Sequence, residues 1–276
     1  MDTPSPYYQP PPSHWPVVGS LALLACAGGF VLVLDKSRSG GAYVMAAGGV
    51  LLVVMLFGWF GTIVREGLAG KLEGQVDRSF RWGMVWFIFS EVMFFAGFFG
   101  ALFYARQISV PDLAATPLIW PGYAGGWPTA GPGNAEAFTP MAAWGLPAVN
   151  TLILLSSGAT VTWAHWGLLR GNRGQLTIGL TLTILLGATF LALQAHEYLH
   201  AAFSLHTGIY GATFYMLTGF HGAHVTLGAI MLSVILARVR AGHFTADSHF
   251  GFSAASWYWH FVDVVWLLLF VFVYWL

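Results

Sequence analysis

Charge is what this 276-residue chain has least of. Asp, Glu, Lys and Arg make up 8% of it, while hydrophobic residues reach 57% and the mean hydropathy is +0.69. An average soluble domain is about 25% charged. The 11 basic and 11 acidic residues cancel, so nucleic-acid binding has no electrostatic support. A single cysteine, Cys26, excludes an internal disulfide framework. Met1 to Ser13 is polar and Pro-rich and lacks the basic stretch and cleavage site of a signal peptide, so it reads as a short extramembrane tail. These absences leave one class, a polytopic membrane protein.

Apolar runs of about 20 residues give seven candidate spans. They cover Pro16 to Leu34, Gly41 to Val64, Trp82 to Ala105, Ala142 to Leu169, Leu176 to Phe203, Thr207 to Ala237 and Ser253 to Leu276. The predicted fold is all-α. Residues 1–15 form the tail, 16–64 a hairpin of two helices with an abrupt turn between Lys36 and Gly41, 65–81 a charged loop, and 82–276 a five-helix bundle. Within the bundle, the Pro-, Gly- and Trp-rich stretch 106–141 reads as an ordered surface loop without regular structure. No internal repeat of the inverted transporter kind is present.

Basic residues orient the bundle. Arg65, Lys71, Arg78, Arg81, Arg170, Arg173, Arg238 and Arg240 fall on one side, and Lys36, Arg38 and Arg106 on the other. The positive-inside rule places the N-terminus and the 65–81 loop in the cytoplasm and, after an odd number of spans, the C-terminus outside.

Glu91 stands alone in the third run, Trp82-Gly-Met-Val-Trp-Phe-Ile-Phe-Ser-Glu-Val-Met-Phe-Phe-Ala-Gly-Phe-Phe-Gly-Ala-Leu-Phe-Tyr. A rise of 1.5 Å per residue puts it roughly 14 Å from the helix start, near the bilayer midplane, where a charge costs at least about 3 kcal/mol. Burial disfavours the ionised form, so the expected state is a neutral acid hydrogen-bonded inside the bundle, as a clamp between helices or as a proton-handling group.

The fifth span carries His196-Glu-Tyr-Leu-His200, the H-E-x-x-H pattern in which two His hold zinc and the Glu acts as general base. Five residues match easily by chance in a chain with 10 His. The motif also lies near the outer end of its helix, whereas Asp263 should be near mid-membrane, leaving no third ligand at that depth. Polar residues around a helix end are the simpler reading. His165, His221, His224 and His260 fall within or at the ends of spans and admit a haem reading. His221 and His224, three apart, suit two contacts to neighbouring helices better than one metal. The preferred reading is a structural polar network in which Glu91 meets a His or a hydroxyl-bearing partner.

Several blocks together resemble one family. They are the Trp82 run above, Trp163-Ala-His, Tyr210-Gly-Ala-Thr-Phe-Tyr, Thr218-Gly-Phe-His-Gly-Ala-His-Val, His243-Phe-Thr, His249-Phe-Gly-Phe and Trp257-Tyr-Trp-His-Phe-Val-Asp-Val-Val-Trp. In this order, from about Trp59 to the end, they are similar to cytochrome c oxidase subunit III of the haem-copper oxidases. Quinol-oxidase relatives typically lack the first two spans, so seven spans favour the cytochrome c branch.

The resemblance implies a non-redox accessory subunit of a proton-pumping oxidase in a bacterial inner membrane. It implies no cofactor in this chain, with haem and copper in subunits I and II, which reduce oxygen to water, and cytochrome c docking mainly on other parts of the complex. It implies that His221, His224, His260 and Asp263 are structural and that Glu91 corresponds to the family's carbodiimide-reactive membrane carboxylate. It further implies two helices splayed from the other five around a cleft that binds phospholipids, with Trp59, Arg65, Glu66, Arg238 and His243 at the matching positions. The implied roles are lipid packing, support of proton uptake and protection from inactivation during turnover. Ala69-Gly-Lys-Leu-Glu-Gly departs from the paired His often found there, so Lys71 receives no head-group role. A reading from a different class is an intramembrane zinc protease using His196, Glu197 and His200.

Overall fold

The computed structural model describes residues 8–35, 40–134 and 138–276. Met1 to Tyr7 of the expected tail, the turn with Lys36 and Arg38, and 135–137 of the long loop lie outside the described residues. All regular structure in the described residues is helical. The elements are α1 (Trp15–Leu34), α2 (Gly41–Leu68), α3 (Gln75–Tyr104), α4 (Val110–Ala114), α5 (Leu146–Leu169), α6 (Arg173–His200), α7 (Gly208–Arg240) and α8 (Phe250–Leu269). Widened π-helical turns join α3 to α4 (Ala105–Ser109) and extend α8 (Phe270–Trp275). Among the described residues, seven helical stretches are long and apolar enough to cross a membrane.

The third span is longer than its apolar core suggests. Helix begins at Gln75, ahead of Trp82, and runs on to Ala114, because Gln75-Val-Asp-Arg-Ser-Phe-Arg contains no breaker. At the far end, Pro111 can offer no N–H and its ring would crowd the carbonyl one turn earlier. The π turn just before it widens the helix, and Pro111 then occupies the first turn of α4, where it is tolerated. The start of the 106–141 segment is therefore helical, a correction to the reading of that stretch as wholly irregular.

The chain divides into two compact units, Met1–Phe80 and Arg81–Leu276. In the first, α1 and α2 pack through glycine. Gly48 lies against the Cys26 backbone, where an added Cβ would come within 2.6 Å of the amide nitrogen, and the indole of Trp15 lies over Gly58. Small residues let membrane helices approach closely where lipid offers no hydrophobic drive to association.

In the second unit, α5 and α6 form a tight antiparallel hairpin. Gly171 turns the chain at φ +68°, and Asn172 caps α6 by accepting from the Gln175 amide at 3.0 Å. Gly179 packs on Ala164 and the Thr160 carbonyl. α8 supplies the centre of the core. Trp259 and Trp266 are fully buried, and their indole N–H groups donate to Ser157 and Thr151 of α5, each at 2.9 Å. A buried indole N–H left without a partner would cost about 1–3 kcal/mol. Gly187 of α6 and Gly228 of α7 leave room for the Trp259 ring. The long loop is pinned at its end, where the Met141 amide donates to the Tyr210 hydroxyl at 3.1 Å.

Candidate functional site

Large aromatic side chains space α3 from its neighbours in the second unit. Phe94 and Phe98 meet Phe220 of α7 at 5.1 Å between ring centroids, and Phe95 meets Phe261 of α8 at 6.1 Å. Glu91 is the polar point in this seam. Its Oε2 lies 2.9 Å from Nε2 of His224 on α7, and the two side chains are 22% and 12% exposed. The His224 ring is enclosed by Phe95 and Phe94, at 5.0 and 5.9 Å.

Hydrogen counting limits what this pair can be. His224 Nδ1 lies 2.6 Å from the Phe220 carbonyl, which can only accept, so Nδ1 carries a hydrogen. The Nε2···Oε2 contact then holds one further proton, on the acid or on the imidazole. Both arrangements are net neutral, which suits a position near the middle of a membrane. The expected meeting of Glu91 with a His is thus present, and His224 is the partner.

His221, one turn earlier on α7, faces another way. It is buried, with Nε2 donating to the Val262 carbonyl of α8 at 3.2 Å and its ring 5.2 Å from Trp266. The two imidazoles therefore tie α7 to two different helices. His260 and Asp263 of α8 form a third group. His260 Nδ1 is 3.4 Å from Asp263 Oδ2, and Nε2 is 3.2 Å from the Thr162 hydroxyl of α5. Gly158 of α5 lies against the Asp263 carboxyl, where any side chain would collide.

The His196-Glu197-His200 residues separate across their helix. The two imidazoles are exposed and stacked at 4.1 Å, with His200 Nδ1 on the His196 carbonyl at 2.8 Å. Glu197, about 100° around the helix from His196, is buried. It accepts from the Tyr274 hydroxyl at 2.7 Å and from Gln194 Nε2 at 3.2 Å, and Asn150 Nδ2 in turn donates to Gln194 at 3.5 Å. The catalytic geometry of the motif needs the Glu beside the histidines' open face, and here it points into the core. Among the described residues no three His, Cys, Asp or Glu side chains gather in one group. The Asn150–Gln194–Glu197–Tyr274 chain has no local signal in the sequence, since its members are up to 124 positions apart.

The basic residues stand one set to each unit. In the first, exposed Arg65 donates to Thr62 at 3.0 Å, Glu66 accepts from the Tyr8 hydroxyl at 3.2 Å, and Lys71 lies 5.5 Å from the Tyr8 ring. Trp59 is exposed. In the second, the Arg238 guanidinium covers the Phe244 ring at 4.4 Å, and the His243 amide donates to the Arg238 carbonyl at 3.0 Å. Arg238 Nε and His243 Nδ1 are buried atoms without a hydrogen-bond partner among the described residues.

Comparison with known proteins gives one consistent result. The family model for cytochrome c oxidase subunit III matches residues 5–276. Cytochrome c oxidase subunit 3 of Scyliorhinus canicula is 43% identical over 271 residues, 98% of this chain and 97% of that protein. The Cyprinus carpio protein of the same name is 43% identical over 270 residues, and that of Petromyzon marinus 42%, each covering 98% of this chain and 96% of its own length.

Proposed function

The chain belongs to the cytochrome c oxidase subunit III family, and from that premise we propose how this multi-pass, non-catalytic subunit serves its oxidoreductase complex. The redox centres sit in subunits I and II, the partners against which it works. Its own task is to keep the complex in a competent form by supporting proton uptake and resisting inactivation, with phospholipids bound at its basic end. The membrane is a bacterial inner membrane, with the N-terminus cytoplasmic and the C-terminus periplasmic. The eight-to-three distribution of basic residues supports that orientation.

The observation that carries this reading is the Glu91–His224 contact at 2.9 Å. An acid committed to an imidazole inside an aromatic seam is suited to holding α3 in place, and it leaves neither group open to a metal. Glu91→Leu is expected to assemble and start turnover at a rate near wild type, then lose activity sooner. The number of turnovers before inactivation reads this out, and an unchanged lifetime would refute the proposed role.

Lipid binding rests on chemistry at two separate places. A guanidinium offers a planar fork that matches a phosphate diester. Arg65, held by one hydrogen bond to Thr62, and the Arg238 guanidinium, lying over the Phe244 ring, each offer such a fork. Replacing Arg65 and Arg238 with Ala should lower the phospholipid retained by the purified complex. Unchanged lipid content by mass spectrometry would remove this part of the proposal.

A further inference from the structure

We propose that the outward face of α5 and α8 around His260 is a docking surface for a membrane-spanning helix of another oxidase subunit, one carrying a hydrogen-bonding side chain at mid-membrane. Depth is the first support. The span Phe250–Trp275 has 26 residues, so at 1.5 Å per residue His260 lies about 15 Å from one end and Asp263 about 20 Å, on either side of the midpoint.

Openness is the second. The His260 side chain is 43% exposed although its partner Asp263 is only 9% exposed. Thr162 spends its single O–H on the Gly158 carbonyl at 2.9 Å, so the 3.2 Å contact makes His260 Nε2 the donor to Thr162. The 3.4 Å contact between Nδ1 and Asp263 Oδ2 then needs a second proton, on the imidazole or on the acid, and Asp263 Oδ1 is left buried without a partner among the described residues. His260 is more open than either member of the Glu91–His224 pair. Lipid acyl chains offer it no hydrogen bond, and polar groups so placed in membrane proteins face a bundle interior or another helix.

The surroundings have the character of a helix-packing surface. Leu155, Ala159 and Trp166 on α5 share the face of Thr162 by helical spacing and are exposed, as are Val264 and Leu268 beside His260 on α8. A small residue flanked by apolar side chains around a polar centre is how membrane helices recognise one another. Membership of an oxidase complex supplies such helices, and the surface is independent of the roles proposed for Glu91 and the arginines.

The test uses the assembled oxidase in its membrane. A benzophenone amino acid in place of Val264, which is 56% exposed, is irradiated and its adducts identified by mass spectrometry. The expected product is a cross-link to a spanning segment of another subunit. Adducts confined to lipid, or joining two copies of this chain, would overturn the proposal. In parallel, His260→Leu should lower retention of this chain in the detergent-purified complex by about tenfold, with His260→Gln restoring part of it and Leu185→Val, at an exposed position on α6 away from this face, leaving it unchanged. Wild-type retention of His260→Leu would equally overturn the proposal. Should His260→Leu fail to insert, the cross-link decides.

Discussion

Two of the carboxylates that face the inside of the second unit, Glu91 and Glu197, are held in different ways. Glu91 has one strong partner, stands at the edge of the bundle, and is surrounded by aromatic rings that keep the helices apart. Glu197 is buried in a hydrogen-bonded chain that draws on α5, α6 and the π turn after α8. The first arrangement ties one helix to another by a single contact whose proton can reside on either side. The second distributes its bonds over three elements and fixes where the last turn of the chain lies. An acid with one partner can be replaced by a neutral hydrogen-bonding group with little loss. An acid on which several buried donors converge cannot be removed without stranding them.

The sharpest way to break this contrast is to remove both acids in turn. Glu197→Leu strands the Tyr274 hydroxyl and a Gln194 amide hydrogen in the core, at about 1–3 kcal/mol for each buried group left unsatisfied. It should lower the thermal unfolding midpoint of the subunit in the purified complex far more than Glu91→Leu does. Equal shifts would mean that the Glu197 chain carries no special share of stability.

The smallest effect is expected at the two histidines that flank Glu197. His196→Gln with His200→Gln changes exposed rings that make no contact in the core, and surface substitutions of this kind shift stability by under about 0.5 kcal/mol. Oxidase turnover should be unaltered. Loss of activity in the double variant would revive the metal reading of the motif and sink the assignment of Glu197 to the core.

The two acids also differ in how visible they are in a sequence. Glu91 is conspicuous because nothing charged stands near it in 23 residues of apolar helix, and a buried acid must find a partner. Which partner is a matter of packing, since His224 lies 133 positions away. Glu197 is masked by its neighbours. Histidines at i−1 and i+3 suggest a shared ligand face, yet the residue between them projects into the bundle, because side chains along a helix diverge by about 100° per residue. Its donor Tyr274 reads only as an interfacial anchor near the end of the last span, where the π turn gives it access to the core. The seven spans were legible from apolar length alone. The extension of α3 was not, since its first turn is charged and its far end passes through a proline.

The role assigned to Glu91 meets its most direct test in the initial rate of oxygen reduction by the fully assembled complex carrying Glu91→Gln. The amide keeps the shape and can still hydrogen-bond His224 while removing the titratable proton. A rate within about twofold of wild type, a change of about 0.4 kcal/mol in barrier, is the expected result. Abolished oxygen reduction in a complex that retains all its subunits and haem would contradict it and make Glu91 an obligatory proton carrier.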